Sequence, residues 1–130
     1  MWNDQTTIMT STVRQIIYGL IALVGMAVTW YCNLQYMAEN DGFSVVEFVR
    51  AAYVNYASAS IGNDVLVATV TFLFWSFLEA RRLKMSNWWI YFVLTFGVAV
   101  AFSFPVFLLM RERQLAANER SLATQDDDVR

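Results

Sequence analysis

Apolar residues along this chain come in long blocks, and the charges fall between the blocks. The longest uncharged block runs from Met85 to Met110, MSNWWIYFVLTFGVAVAFSFPVFLLM, closed by Lys84 and Arg111. A core helix of a soluble domain keeps a polar face, and this block has none. At ~1.5 Å per residue it is long enough to cross a hydrocarbon layer of ~30 Å. Trp88, Trp89 and Tyr91 cluster at its first end, where amphipathic rings sit at headgroup level. The pattern predicts a spanning helix over 87–110, capped by Ser86 or Asn87.

A second uncharged block, Gln15 to Ala38, predicts a span over 14–36. It is too long, and too polar at its outgoing end, for a signal peptide. Thr10, Ser11 or Thr12 is the expected cap, and Trp30, Tyr31 and Tyr36 form an aromatic belt around Asn33. Ile61-Gly62-Asn63-Asp64 reads as a break, with Gly62 ending one helix and Asn63 or Asp64 capping the next. The apolar stretch Val65–Leu78 is short alone. Extended from Asp64 to Arg82, with its end groups snorkelling, it makes a span. Between these lies FSVVEFVRAAYVNYASAS, with Glu47 and Arg50 one helical turn apart. A charge at the bilayer centre costs at least ~2.5 kcal/mol, so residues 43–60 are expected to form an interfacial or re-entrant amphipathic helix, with a fourth span as the alternative.

The expected fold is an all-α integral membrane bundle of three spans plus that amphipathic helix. Residues 1–13 form a polar arm, 14–113 the membrane domain, and 114–130 a polar tail whose acidic end is expected to be disordered. Arg81, Arg82 and Lys84 make the densest basic loop beside a span, which places that loop in the cytoplasm. Three spans then put the amino terminus in the cytoplasm and the carboxyl terminus outside. Arg111 and Arg113 argue the other way.

Composition supports the membrane reading and removes much chemistry. The 130 residues are 58% hydrophobic and only 15% charged, against ~25% in soluble domains. A net charge of −2 offers no basic stripe for nucleic acid. There is no histidine, so the usual haem and zinc ligand and the near-neutral proton carrier are missing. No metal site and no cofactor is expected. The lone Cys32 lies in an apolar run and is expected to be buried and inert.

The candidate polar or ion site is Asp64, with Asn55, Asn63 and Asn33. An ionisable group at the mouth of a helix bundle can bind a cation or relay protons; the bland reading of Asp64 is a helix cap. Glu79 and Arg82 are spaced to form an interfacial ion pair. Gly19, Ala22 and Gly25 recur every third residue, and Gly97 and Ala101 form a small-xxx-small pair. Both are faces on which a neighbouring helix can approach closely. Pro105 removes the bond to the Ala101 carbonyl, so a kink is expected there.

The aromatic end of the first helix, the amphipathic middle ending near Asp64, the stretch Phe74-Trp75-Ser76-Phe77-Leu78-Glu79-Ala80-Arg81-Arg82, Trp88, and the exit Ser103-Phe104-Pro105-Val106-Phe107-Leu108 into Arg111-Glu112-Arg113 occur in a recognisable order. In this order the chain resembles the small bacterial membrane proteins grouped as domain of unknown function 2834, over roughly residues 14–113. The resemblance implies a multi-pass protein of the bacterial inner membrane and carries no activity. The leading expectation is a non-enzymatic helix-packing or accessory subunit in the lipid bilayer, as a homo-oligomer or with a partner membrane subunit. The second is a small transporter or ion-coupled carrier using Asp64. The third is a binder of a carotenoid or quinone at the aromatic stretch Phe72, Phe74, Trp75 and Phe77.

Overall fold

The computed structural model describes residues 4–128, and the side chains of residues 11–125. Five helices follow one another, with no strand among the described residues: α1 (Asp4–Glu39), α2 (Val45–Ala52), α3 (Tyr56–Arg82), α4 (Trp89–Gly97) and α5 (Val100–Asp128). The chain is all-α. Two stretches, Ser11–Glu39 and Tyr56–Arg82, are long and apolar enough to cross a membrane. Only 6% and 17% of their apolar windows are buried inside the protein.

The longest apolar block is not one helix. It breaks at Val98–Ala99 and folds back, where a continuous span over 87–110 was expected. The N–H groups of Val98 and Ala99 both donate to the Leu94 carbonyl, and the carbonyl of Ala99 then starts α5. Side-chain hydroxyls explain why the chain turns here rather than at Pro105. Thr95 donates to the Tyr91 carbonyl at 2.7 Å, the Thr95 and Ser103 hydroxyls lie 2.6 Å apart, and Ser103 reaches the same carbonyl at 3.2 Å. Beneath them the Tyr91 and Phe107 rings meet edge to face at 4.9 Å. These contacts clamp α4 and α5 as an antiparallel hairpin. Pro105, where a kink was expected, lies inside α5 beyond this turn.

α3 is longer than expected because Gly62 does not stop it. Its start is fixed by a capping box: the Ser58 N–H donates to the Asn55 side chain at 2.9 Å, and the Asn55 N–H donates to the Ser58 hydroxyl at 3.4 Å. A mid-helix glycine costs only ~1 kcal/mol, which this cap offsets. The break expected over 61–64 is therefore absent, and neither Asn63 nor Asp64 is a cap. The amphipathic helix is correspondingly short, with Ser44 capping α2 and Tyr53–Asn55 separating it from α3. The rings of Tyr36, Phe43 and Phe48 hold α2 to the end of α1.

Both polar ends are helical over their described residues. Thr10, Ser11 and Thr12 lie inside α1 rather than capping it, and α5 runs through the region of the aspartates expected to be disordered, to Asp128. Arg14 pairs with Glu112, Gly19 faces Leu109 and Gly25 faces Ala101, so α1 and α5 are antiparallel. Just beyond the Arg14–Glu112 pair, Arg113 donates to the Gln15 side chain at 3.4 Å.

α3 runs parallel to α5. Phe72 meets Phe104, Trp75 meets Phe107 and Glu79 meets Arg111, the last pair 32 residues apart and the others in the same register. α5 thus touches α1, α3 and α4, while α1 and α3 make no backbone contact with each other. Arg14, Arg82 and Arg111 consequently come together at one end, here the basic end. The two ends of the Met85–Met110 block were expected on opposite sides, and the ion pairs overturn that. The core of Phe72, Leu73, Ala80, Tyr91 and Phe107 lies towards the same end.

Candidate functional site

α4 has nine residues, or ~13 Å of helix, and α5 covers only ~18 Å between Val100 and Glu112. From Arg14 to Tyr36, α1 covers ~33 Å. The hairpin is therefore shorter than the helices it packs on. It fills the basic half of the space between α1 and α3 and leaves the other half open. The result is a cleft of about 620 Å³. One wall is α1, with Leu20, Ile21, Val24 and Gly25; the other is α3, with Asp64, Val65 and Ala68. The floor is the start of α5, from Val100 and Ala101 to Phe104 and Pro105.

Asp64 is the only charged residue on this surface. It stands inside α3, more than two turns beyond the capped start, so its carboxylate is not spent on the helix backbone. The N–H groups of Val100 and Ala101 on the floor donate to no backbone carbonyl, as expected of the first turn of a helix.

Gly25 makes the floor possible. A Cβ there would lie 2.9 Å from the Ala101 carbonyl carbon and 3.2 Å from its Cβ, with the carbonyl oxygen nearer still. That oxygen is the one Pro105 deprives of its helical N–H. The glycine Cα–H is turned towards it and supplies a weak donor in place of the missing one. The small residues singled out on two separate helices meet here. Ala22 is buried beside them, and Gly19 lies in ordinary contact with Leu109. Gly97 ends α4 on the surface, with nothing near the position of a Cβ.

The three asparagines grouped with Asp64 do not join it. Asn55 caps α3. Asn63 accepts a hydrogen bond from the Tyr53 hydroxyl at 2.8 Å. Asn33 is half-buried on α1, away from the cleft lining. Cys32, expected to be buried, is exposed on the same helix.

At the basic end, Glu79 takes Arg82 at 2.7 Å and Arg111 at 2.6 Å. Arg111 also lies 3.6 Å from Glu112, which holds Arg14 at 2.8 Å. Five charges of alternating sign therefore tie α3, α5 and α1 together. The two carboxylates are buried and the arginines lie outside them. The sequence suggested only the Glu79–Arg82 pair. Arg14, Arg111 and Glu112 were signalled by their places just outside apolar blocks, but their meeting depends on the turn at Val98–Ala99.

The aromatic stretch of α3 is filled from within. Phe72 and Trp75 stack against Phe104 and Phe107, and Phe77 against Trp88, while Phe74 stands alone on the surface. Among the described residues no three His, Cys, Asp or Glu side chains are grouped to hold a metal ion.

A family model described as protein of unknown function DUF2834 matches residues 17–113. No curated protein and no solved structure matches the chain.

Proposed function

The chain belongs to that family of proteins of unknown function, and from this premise we propose a small multi-pass membrane protein, non-enzymatic, that binds a ligand in the cleft beside Asp64. In this reading α1 and α3 cross the bilayer and α4–α5 is a re-entrant hairpin. Non-helical backbone at membrane depth is tolerated where it is buried in protein, and the Val98–Ala99 turn is held by the Thr95–Ser103 clamp. Both termini then share one face with Arg81, Arg82, Lys84, Arg111 and Arg113. That removes the charge conflict of a three-span topology and assigns the basic end to the cytoplasm. α2, with its exposed Glu47–Arg50 pair, lies in the opposite interface.

The observation that carries the ligand reading is the position of Asp64 within α3. A carboxylate in a spanning segment is costly unless it serves a site, and the capping role that would have explained it belongs to Asn55. The accessory-subunit reading loses its main motive, because Gly25 and Ala101 are used against each other inside the chain. A carrier coupled to ions remains one mode of action for the same site.

The test is native mass analysis of the full chain taken from its own membranes into lipid nanodiscs. A small bound mass is expected on the parent, and it should be missing from Ala68→Phe, whose ring fills the cleft. If the parent carries nothing, or Ala68→Phe carries the same mass, the reading fails.

A further inference from the structure

We infer that the ligand of this cleft is a lipophilic monocation, an apolar body of drug-like size bearing one positive charge. The inference rests on the ligand-binding reading above and narrows it. Three observations carry it. First, the cleft holds about 620 Å³, within the range of small-molecule sites. A partner helix ~10 Å across would find room for only one or two turns. Second, apart from Asp64 the lining side chains are hydrocarbon, on Leu20, Ile21, Val24, Val65, Val100 and Phe104. A hydrated inorganic cation needs several oxygen ligands, and this surface offers a single carboxylate. Third, the charge is unanswered within the chain. Asp64 is exposed on the cleft surface, and no cationic side chain lines the cleft to answer it.

Charge complementarity in an apolar setting thus selects a cation whose body replaces lipid along the walls. The cation would sit at Asp64, towards the mouth, with the body reaching down to Phe104. An acceptor atom at the deep end of that body can take the free N–H groups of Val100 and Ala101.

Tetraphenylphosphonium and tetraphenylborate have the same shape and opposite charge, so together they read the sign of the site. Binding of each is measured by equilibrium dialysis on the full chain in neutral-lipid nanodiscs, corrected against empty discs. Tetraphenylphosphonium is expected to bind saturably and tetraphenylborate not at all. Asp64→Asn should weaken the cation by about tenfold or more, because it removes a charge–charge attraction in a largely apolar setting. Asp64→Glu should restore most of it, with helicity and elution volume unchanged in both variants. Binding of both ions, insensitive to Asp64→Asn but lost in Ala68→Phe, would overturn the cation assignment and leave the cleft as a site. No saturable binding of either ion would overturn the cation assignment, and with no adduct on the native chain the ligand reading would fall too.

Discussion

The two halves of this molecule are built on opposite plans. In the basic half, α5 lies between α1, α3 and α4, aromatic rings from three helices interlock, and five charges close the end. In the other half, α1 and α3 flank an open cleft, α2 buries no residue, and Asp64 stands exposed on the cleft lining without a partner. The cause is a length mismatch: a hairpin that turns at Val98–Ala99 cannot reach the far ends of the helices beside it. In the proposed reading, stability and binding are thereby separated in space. The packed half can hold the helices in register while the open half keeps a surface that packing would otherwise consume.

The sharpest way to break that contrast is to remove the charge that ties the packed half together. Glu79 is buried, and it answers both Arg82 and Arg111. Glu79→Gln leaves two guanidinium groups without their shared carboxylate. Removing one partner of a buried pair costs ~3 kcal/mol or more, and that loss is expected in reversible unfolding of the solubilised protein. Glu47→Gln is the control. Its pair with Arg50 is exposed on both sides, so a change of no more than ~0.5 kcal/mol is expected. Equal losses in the two variants would mean that the five-charge network does not hold the basic end.

Gly25 sharpens the boundary between the halves. Gly25→Ala drives a methyl group into the Ala101 backbone, and overpacking of this kind costs ~1–3 kcal/mol. Gly19→Ala meets only the end of Leu109 at 3.6 Å, and a helical glycine replaced by alanine gains up to ~1 kcal/mol. The two substitutions are chemically identical and six residues apart on one helix, and their effects should have opposite sign. Unfolding midpoints that fall together would show that α1 does not cross α5 at Gly25.

How much of this was legible beforehand follows from the range of each interaction. Apolar blocks and local caps act within a few residues, so the all-α class and the positions of α1 and α3 could be read directly. The Asn55 cap was also local, but Asn55 was read as a site residue and the helix start was placed at Asn63 or Asp64 after Gly62. The hairpin was hidden because its cause is long-range. Thr95 and Ser103 look like ordinary small polar residues in an apolar helix until the turn brings them within 2.6 Å. Pro105 marked the Ala101 carbonyl as one that needs a partner from another helix, and Gly25 meets it, but nothing local pointed to the turn at Val98–Ala99. The five-charge cluster depends on that fold-back, and so does the cleft. Asp64 was visible as a candidate, and its surroundings were not.

The smallest expected effect tests the open half itself. Ala68 lies on the α3 wall of the cleft, facing no packed neighbour across it. In the basic half an enlarged side chain would have to displace an interlocked ring. Ala68→Leu only adds methyl groups to empty space. Its stability should therefore change by less than ~0.5 kcal/mol, as for substitutions away from packed features, while tetraphenylphosphonium binding weakens. A stability loss comparable with that of Gly25→Ala would mean that α1 and α3 close on each other in the bilayer. A small stability change with diminished binding is what distinguishes a vacant site from a loosely packed core.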